Sequence, residues 1–553
     1  MQTQRTVHNV TPLPLHAAHD SLADIEAELA RLEAEEREQP GAGNGKSHWR
    51  DEVPQHFVAS QRAHTTVLCG GLTMAQDRLI EAALTGLGYH IKHLDVPDND
   101  ALRFGKEFGN RGQCNPTYFT VGNLVKHLTW LRDEQNIPAQ EIVDKYLFVT
   151  GGACGPCRFG MYVTEYRKAL RDAGFDGFRV LLFQLQGGLK QATGDKPGLD
   201  FSPRFFIKLI QAVMIGDVLN LIGYRLRPYE ITPGATDAAL ERCQALLDAA
   251  FRNRRGLVPV LLKCRRELSK VAIDRASVKP KVTIIGEFWA MTTEGDGNYR
   301  LQRFLEQEGA EVDVQPVTNW LLYMIWWASH AERERLRAGA TDPNAARRLL
   351  FRLKIADKIS RAIFNAYARL LGLARYQLGD MKAIAEAARE HYNLEVGGGE
   401  GHMEVGKFIL KARQRKATLV VSVKPFGCMP SSGVSDGVQS YVVERHPQTL
   451  FLPIETSGDG AVNVYSRVQM MLFKARAAAQ REVAQAEADT GLTIAQAQTL
   501  ARRLPWLTRT LYAPPHSYRA STTAANFLYA VARLRRRLPW LAAPAQTAAG
   551  PSS

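Results

Sequence analysis

Residues 146–160 read YLFVTGGACGPCRFG, an apolar run followed by glycines and two cysteines. Residues 146–150 have the length and composition of a buried strand, and the glycines end it. We predict that a helix reaching Ala173 follows, and then a strand at residues 178–185. A strand, a helix and a second strand in this order indicate a right-handed parallel crossover.

The same alternation continues on both sides of this unit. The other predicted strands lie at residues 65–69, 90–96, 281–286, 311–317, 418–423 and 449–453. We therefore predict an α/β fold with two Rossmann-like parallel-sheet units. A helical insert at about residues 320–388 interrupts the second unit, and an N-terminal helix and a basic C-terminal tail flank the pair.

These patterns divide the chain into four expected segments. They are an acidic helical or flexible arm at residues 1–60, a first Rossmann-like domain at 61–276 with Cys114, Cys154 and Cys157, a second at 277–490 with the insert and Cys428, and an Arg-rich tail at 491–553.

The positive charge is concentrated in the tail. The formal net charge is +14, and residues 491–553 contribute eight arginines with no lysine, aspartate or glutamate. The sequence RRLPWL occurs there twice, from Arg502 and from Arg536. An acidic partner, an anionic membrane surface or RNA could bind such a segment. The simpler expectation is a solvated arm on the acidic N-terminal helix, and nucleic acid is not favoured.

The sequence favours a cytoplasmic location. Residues 1–18 lack the apolar run of a secretory signal. The apolar stretch at residues 205–224 is interrupted by polar groups, and the one at residues 320–328 is too short to span a bilayer. We therefore expect both to form buried helices. Seven cysteines are too few for a disulfide scaffold in 553 residues, and cytoplasmic thiols stay reduced.

Four cysteines occupy positions typical of a ligand site. Cys154 and Cys157 follow a predicted strand and precede a helix, Cys114 precedes another helix, and Cys428 follows a strand that ends at Val423. Ligands of parallel sheets bind outside the carboxyl ends of the strands, and helix N-termini stabilise thiolates. Cysteines without neighbouring histidines suit an iron–sulfur cluster or zinc. The CxxC pair also fits a dithiol redox pair or half a zinc site.

Other residues carry weaker signals. Cys69, Cys243 and Cys264 read as buried thiols. Glu287, Glu400 and His402 are candidates for substrate or proton handling, although capping or turn stabilisation is the favoured reading. Residues 401–407 match the G-x4-G-K pattern, but Phe408 replaces the magnesium-binding hydroxyl residue. We therefore expect no nucleotide site there, and any ATP hydrolysis belongs to another protein.

Several motifs in combination resemble the 2-hydroxyglutaryl-CoA dehydratase D-component family. The chain looks closest to the iron–sulfur C-terminal region of CoA-substrate-specific activase-type proteins, whose relatives include benzoyl-CoA reductase subunits and double-cubane cluster proteins. The motifs are CNP at 114–116, TGGACGPCRFG at 150–160, YRKAL at 166–170, RPYE at 227–230, GEF at 286–288, GEGH at 399–402, PFGC at 425–428 and NVYSR at 463–467.

This resemblance implies a [4Fe-4S] cluster or a related larger iron–sulfur cluster, with Cys114, Cys428 and one or both of Cys154 and Cys157 as ligands. It also implies reduction by a separate ATP-hydrolysing activator protein, an acyl-CoA or other small substrate, and a homo- or heterodimer. The activity would be that of a dehydratase or a low-potential reductase. The alternatives are a non-catalytic electron-transfer or scaffold subunit, and binding of nucleic acid or a membrane surface through the tail.

Overall fold

The computed structural model describes residues 57–152, 157–183, 197–396 and 401–538, apart from the side chains of Pro430, Ser435 and Asp436. This part of the chain is largely helical and contains two four-stranded parallel sheets. The predicted α/β class with two Rossmann-like units is therefore confirmed. Cys154 and Glu400 lie outside the described residues, as does the predicted N-terminal helix.

The two sheets share one topology, with strand orders β2-β1-β3-β4 and β6-β5-β7-β8. In each sheet the strand order reverses beside the first strand, which creates a crevice at the carboxyl ends of β1 and β3 and of β5 and β7. The strands are β1 Thr66–Cys69, β2 His90–His93, β3 Tyr146–Gly151, β4 Arg179–Phe183, β5 Lys281–Gly286, β6 Glu311–Val314, β7 Leu419–Pro425 and β8 Leu450–Thr456.

Helices cover both sheets of this fold. Those before the second sheet are α1 Met74–Thr85, α2 Asn99–Phe108, α3 Asn115–Asp133, α4 Ala139–Lys145, α5 Tyr162–Asp172, α6 Pro203–Leu226, α7 Ala235–Arg252 and α8 Leu257–Ser269. Those of the second half are α9 Phe288–Thr292, α10 Leu301–Gln307, α11 Val317–Arg337, α12 Pro343–Leu371, α13 Met381–Ala388, α14 Gly401–Arg413, α15 Met429–Ser432, α16 Gln439–Glu444, α17 Ala461–Thr490, α18 Ile494–Arg502, α19 Pro505–Thr508 and α20 Thr523–Arg537.

The stretch Pro203–Tyr229 is long and apolar enough to cross a membrane, but most of it is buried within the protein. Its side chains, including Val218 and Ile222, belong to the hydrophobic core beside the first sheet. The apolar composition is therefore accounted for by packing inside the protein, as the sequence predicts.

Three helices of the predicted insert, α11 to α13, pack against the first unit, where Leu322, Phe364 and Met381 join the core of α6 and α8. A buried carboxylate reinforces this junction. Asp217 of α6 accepts hydrogen bonds from the backbone N–H groups of Val317 and Thr318 at 2.8 and 2.7 Å. Burial raises the pKa of Asp217 to about 6, although these hydrogen bonds oppose the shift.

The Arg-rich segment differs from the expected solvated arm as far as Leu538. Its helices α18 to α20 enclose a core of their own with α17, in which Leu507, Phe527 and Leu528 are buried. Arg275 fixes the connection by donating to the carbonyl oxygens of Leu507, Arg509 and Thr510 at 2.9–3.2 Å. An apolar face therefore packs while the arginines stay at the surface. The net charge of the segment does not reveal the apolar helix faces that pack here.

Candidate functional site

Two of the predicted cysteine loops contact each other between the sheets. Cys114 precedes α3 of the first unit, and Cys428 follows β7 of the second. The backbone N–H of Asn115 donates to the carbonyl oxygen of Phe426 at 3.0 Å. Gly427 has a φ of 76°, and a Cβ atom there would lie 3.3 Å from the Cα atom of Cys114. The left-handed backbone and the close approach both favour glycine, which lets the two cysteines come near.

Cys157 brings a third loop to the same place. It precedes a short 3-10 helix, Arg158–Met161, and is partly exposed. The guanidinium group of Arg158 donates to the carbonyl oxygen of Gly112, two residues before Cys114. The same guanidinium group lies 3.6 Å from the Cβ position of Gly427. The loops that carry Cys114, Cys157 and Cys428 therefore meet across the space between the two sheets.

The three cysteines influence one another electrostatically. Burial raises the pKa of Cys157, and the charges of Glu287 and Cys114 raise it further. Burial raises the pKa of Cys428 to about 12, with further contributions from Glu287 and Cys157. The expected stabilisation of a thiolate at Cys157 by a helix start is therefore wrong, because burial outweighs the effect of the short 3-10 helix, and both thiols are protonated at neutral pH. A bound cation must therefore displace protons, because metal ions bind the thiolate.

Glu287 lies at the start of α9, after Gly286 ends β5. Its carboxylate accepts a hydrogen bond from the backbone N–H of Ala290 at 2.8 Å, so the favoured capping role is confirmed. Gly286 has a φ of 127°, and a Cβ atom there would clash with the carbonyl oxygen of Val423. The close approach of β5 to β7 therefore positions Glu287 where its charge acts on the thiols of Cys157 and Cys428.

Hydroxyl groups contact two of the sulfur atoms. Cys114 Sγ lies 3.1 Å from both Thr117 Oγ1 and Tyr162 Oη, and Cys428 Sγ lies 3.2 Å from Ser431 Oγ. The Cys428 thiol donates to Ser431 Oγ, and such hydroxyl groups can instead donate to sulfur once the sulfur binds a metal, which tunes its properties. A π-helical turn, Gly433–Val438, follows α15 directly, and such turns are frequent at functional sites. Thr117 and Ser431 each lie three residues after a predicted cysteine ligand, but a lone hydroxyl residue carries no sequence signal of its own, and Tyr162 is distant in the chain from Cys114.

The spacing of the sulfur atoms bears on the type of metal centre. Within the described ranges, Cys114, Cys157 and Cys428 do not form a set whose sulfur atoms all lie within 4.8 Å of one another. Tetrahedral zinc with Zn–S bonds of about 2.3 Å would hold its sulfur ligands about 3.8 Å apart. The arrangement therefore does not match a single zinc ion held by these three thiols, whereas a larger cluster requires wider spacing.

His402 lies apart from this arrangement, in the first turn of α14. Its ring contacts Tyr323 and Trp326 of the helical insert. The side chain is buried, and burial together with the charge of Lys407 lowers its pKa to about 4. Lys407 lies within α14, so the G-x4-G-K sequence forms a helix here and not a phosphate-binding loop.

The three remaining cysteines show ordinary packing. Cys243 and Cys264 are fully buried, and each sulfur faces the carbonyl oxygen of the other residue, at 3.5 and 3.7 Å. They stabilise the contact of α7 with α8, as expected of buried thiols. Cys69 ends β1, where burial raises the pKa of its thiol.

A narrow cavity of about 40 Å³ lies at the carboxyl ends of the first sheet's strands and is closed by Trp289 of the second unit. Three acidic residues line it, namely Asp77, Asp95 and Glu294. Burial raises the pKa of Asp77 to about 7 and also raises that of Glu294. The lining includes no lysine or arginine. It therefore offers no charged partner for the phosphates of a coenzyme A ester, and its size suits a few waters.

No known family model matches this chain, and no curated protein matches it. The family resemblance thus rests on the sequence motifs alone.

Proposed function

We propose that the chain is an iron–sulfur cluster protein, with the cluster held between the two Rossmann-like units by Cys114, Cys157 and Cys428, and with Cys154 as a further ligand. The observation that carries this proposal is the convergence of three cysteine loops from two sheets. The Asn115–Phe426 hydrogen bond and the close approach of Gly427 to Cys114 join them.

The donor set is suited to iron and sulfide. Thiolates are soft ligands that select iron–sulfur centres, and the hydroxyl groups of Thr117, Tyr162 and Ser431 are placed to hydrogen-bond to sulfur. Burial, and after it the charge of Glu287, raises the pKa of Cys157 and Cys428, and a cationic iron core would favour the thiolate form of both residues. Such a centre when bound would supply one-electron redox chemistry.

The sequence resemblance extends the proposal to an activity. The cluster receives low-potential electrons from a separate ATP-hydrolysing activator protein, and the chemistry is reductive or of the dehydratase type. An acyl-CoA or another small molecule is the substrate, and the active form is a homo- or heterodimer. The location is the cytoplasm, where the thiols remain reduced.

Anaerobic purification followed by iron and sulfide analysis tests this proposal. We expect iron and acid-labile sulfide together with a broad visible absorption band, and we expect all three to disappear in a variant with alanine at Cys114, Cys154, Cys157 and Cys428. The control is Cys264→Ala, which removes a buried thiol of α8 and should leave the iron content unchanged. Equal iron in the quadruple variant and the wild type would refute the proposal.

A second candidate function is a non-catalytic electron-transfer subunit. The observation that favours it is confined to the cavity beside Asp77 and Glu294, which is small and acidic and has no lysine or arginine in its lining. A larger cavity of about 370 Å³ lies elsewhere, beside Arg361, Arg369 and Arg375. With a reduced cluster, the wild-type chain would then transfer electrons to an acceptor protein but would not turn over acyl-CoA esters. Turnover of an acyl-CoA by the purified chain with its activator would exclude this alternative.

A further inference from the structure

The helical insert carries a second group of metal-binding side chains. One ligand atom from each of His330, Glu334 and Glu395 lies within 4.8 Å of the others. His330 and Glu334 are four residues apart on α11, so both side chains lie on one face of the helix. Glu395 comes from the turn after α13, and the backbone N–H of Glu395 donates to Asn393 Oδ1 at 3.0 Å, which fixes the turn.

We propose that His330, Glu334 and Glu395 bind a divalent first-row transition-metal ion that clasps α11 to the turn preceding α14. An imidazole with two carboxylates is a donor set that Mn²⁺, Fe²⁺ and Zn²⁺ accept, with solvent completing the coordination. Two carboxylates beside one imidazole also give the site a negative charge that attracts a cation.

The local contacts support a preformed site. The ring of Trp326 stacks on His330 with the ring centres 5.0 Å apart and the planes 6° from parallel, which fixes the imidazole orientation. His330 Nε2 lies 2.8 Å from Glu395 Oε1. A metal ion would replace the proton shared in that contact. Arg337 donates to Glu334 Oε1 at 2.6 Å, and a cation must compete with this exposed ion pair as well as with the His330–Glu395 contact.

A buried nitrogen on a ring that packs on the same tryptophan as His330 is a second, independent observation. The ring of His402 packs on the same indole, with its centre 4.8 Å from that of Trp326. His402 is 1% exposed, and its Nε2 has no hydrogen-bond partner among the described residues. An unsatisfied buried nitrogen is costly in a folded protein. A cation in this region, bound directly or through water, would provide its partner.

Manganese is the probe that separates this site from the cysteines, because Mn²⁺ prefers nitrogen and oxygen ligands to thiolates. In a titration of the full-length protein, the electron paramagnetic resonance signal of free Mn²⁺ should decrease until one ion is bound per chain. We expect the same binding in the quadruple cysteine variant, since the site does not depend on the proposed cluster. Excess Zn²⁺ should release the manganese, as the Irving–Williams order requires.

Single substitutions then locate the ion. Glu395→Gln changes an exposed side chain and should weaken Mn²⁺ binding by roughly tenfold or more, as should Glu334→Gln. The matched control is Glu386→Gln, an exposed glutamate of α13 paired with Lys382. His90→Ala, at the edge of the first sheet, is the control for His330→Ala. An unchanged manganese signal in the wild type, or equal binding by the wild type and Glu395→Gln, would overturn the proposal.

Discussion

The two ends of the second sheet place charged groups in opposite ways. At the amino end, Glu311 is buried but accepts hydrogen bonds from Lys281 at 2.8 Å, Tyr229 at 2.9 Å and Thr523 at 2.6 Å. Burial alone would raise the pKa of Glu311, yet the charge of Lys281 and these hydrogen bonds outweigh burial and lower it. This end of the sheet is electrostatically satisfied within the protein.

At the carboxyl end the balance is reversed. Cys157, Cys428 and Glu287 act on one another as like charges at this end, where Arg158 supplies a cation near Gly427. Burial and then these charges raise the pKa values of both thiols. Stability alone does not explain such a collection, because each group makes the others harder to ionise. The difference shows that the amino end satisfies its charges within the protein, and we propose that a bound cluster completes the carboxyl end.

Of the changes considered at the two ends of the sheet, removing the thiols should have the largest effect, which is the loss of bound iron. We expect a Cys114→Ala and Cys428→Ala double variant to lose nearly all of its bound iron, because each unit loses a ligand. Thermal unfolding of the metal-free variant should match that of the metal-free wild type. Iron analysis measures the first outcome and circular dichroism the second. Full iron occupancy in the variant would show that the carboxyl end of the sheet does not hold the iron.

Substitutions at the amino end of the sheet should change the stability of the protein and leave its metal binding unchanged. Lys281→Met leaves Glu311 buried beside an apolar side chain, and we expect a loss of about 3 kcal/mol in the free energy of unfolding. The matched control is Lys145→Met, whose ion pair with Glu141 is exposed to solvent and should contribute little to stability. Urea denaturation measures both. An equal loss of unfolding free energy in the two variants would show that the buried Lys281–Glu311 pair stabilises the protein no more than an exposed ion pair does.

The pH dependence of stability should depend on Asp313. Burial opposes ionisation of Asp313, but Lys411 and Lys281 lower its pKa to about 2. A carboxyl whose folded pKa lies below the unfolded value of about 4 adds stability above that value and loses it as pH falls toward 2. This shift corresponds to about 2 kcal/mol.

Asp313→Asn should therefore reduce the acid dependence of the urea midpoint between about pH 4 and pH 2. Asp459→Asn is a suitable control, because that aspartate is exposed and its ion pair with Lys106 is long, at 3.5 Å. An acid dependence identical to that of the wild type in Asp313→Asn would contradict the assignment.

The smallest effect should come from Glu287→Gln. Burial is the main cause of the raised pKa of Cys428, and the charge of Glu287 is the next. Removing that charge should lower this pKa modestly, and metal-free Cys428 should then react several-fold faster with iodoacetamide at pH 8, because the thiolate is the reactive form. Mass spectrometry measures the rate. Glu294→Gln, a buried acid of the neighbouring cavity, should leave the rate unchanged.

The strand pattern was predicted well because apolar runs that end in glycine carry strong local signals. The predicted strand at 281–286 matches the structure, and β7 extends only two residues beyond its predicted end at Val423. The helix Asn99–Phe108 was not predicted, since its polar sequence has few apolar positions. The sequence also does not predict the folded part of the Arg-rich segment. Its high positive charge obscures the apolar spacing of residues such as Phe527 and Val531, which are buried in the structure.

The candidate site was only partly predictable from the sequence. The positions of Cys114, Cys157 and Cys428 at strand ends and helix starts indicated a shared site, and the structure brings their loops together. The hydroxyl of Tyr162 and the metal-binding group on the insert could not be predicted, because they depend on which helices pack together. Glu395 and His330 are 65 residues apart in the chain, and no local pattern joins them.

Anomalous X-ray scattering at the iron absorption edge, from crystals grown anaerobically, tests the central claim most directly. We expect a strong peak between the two sheets, within bonding distance of the sulfur atoms of Cys114, Cys157 and Cys428. The absence of an iron peak there in protein that contains iron, or a peak only at His330, Glu334 and Glu395, would contradict the account.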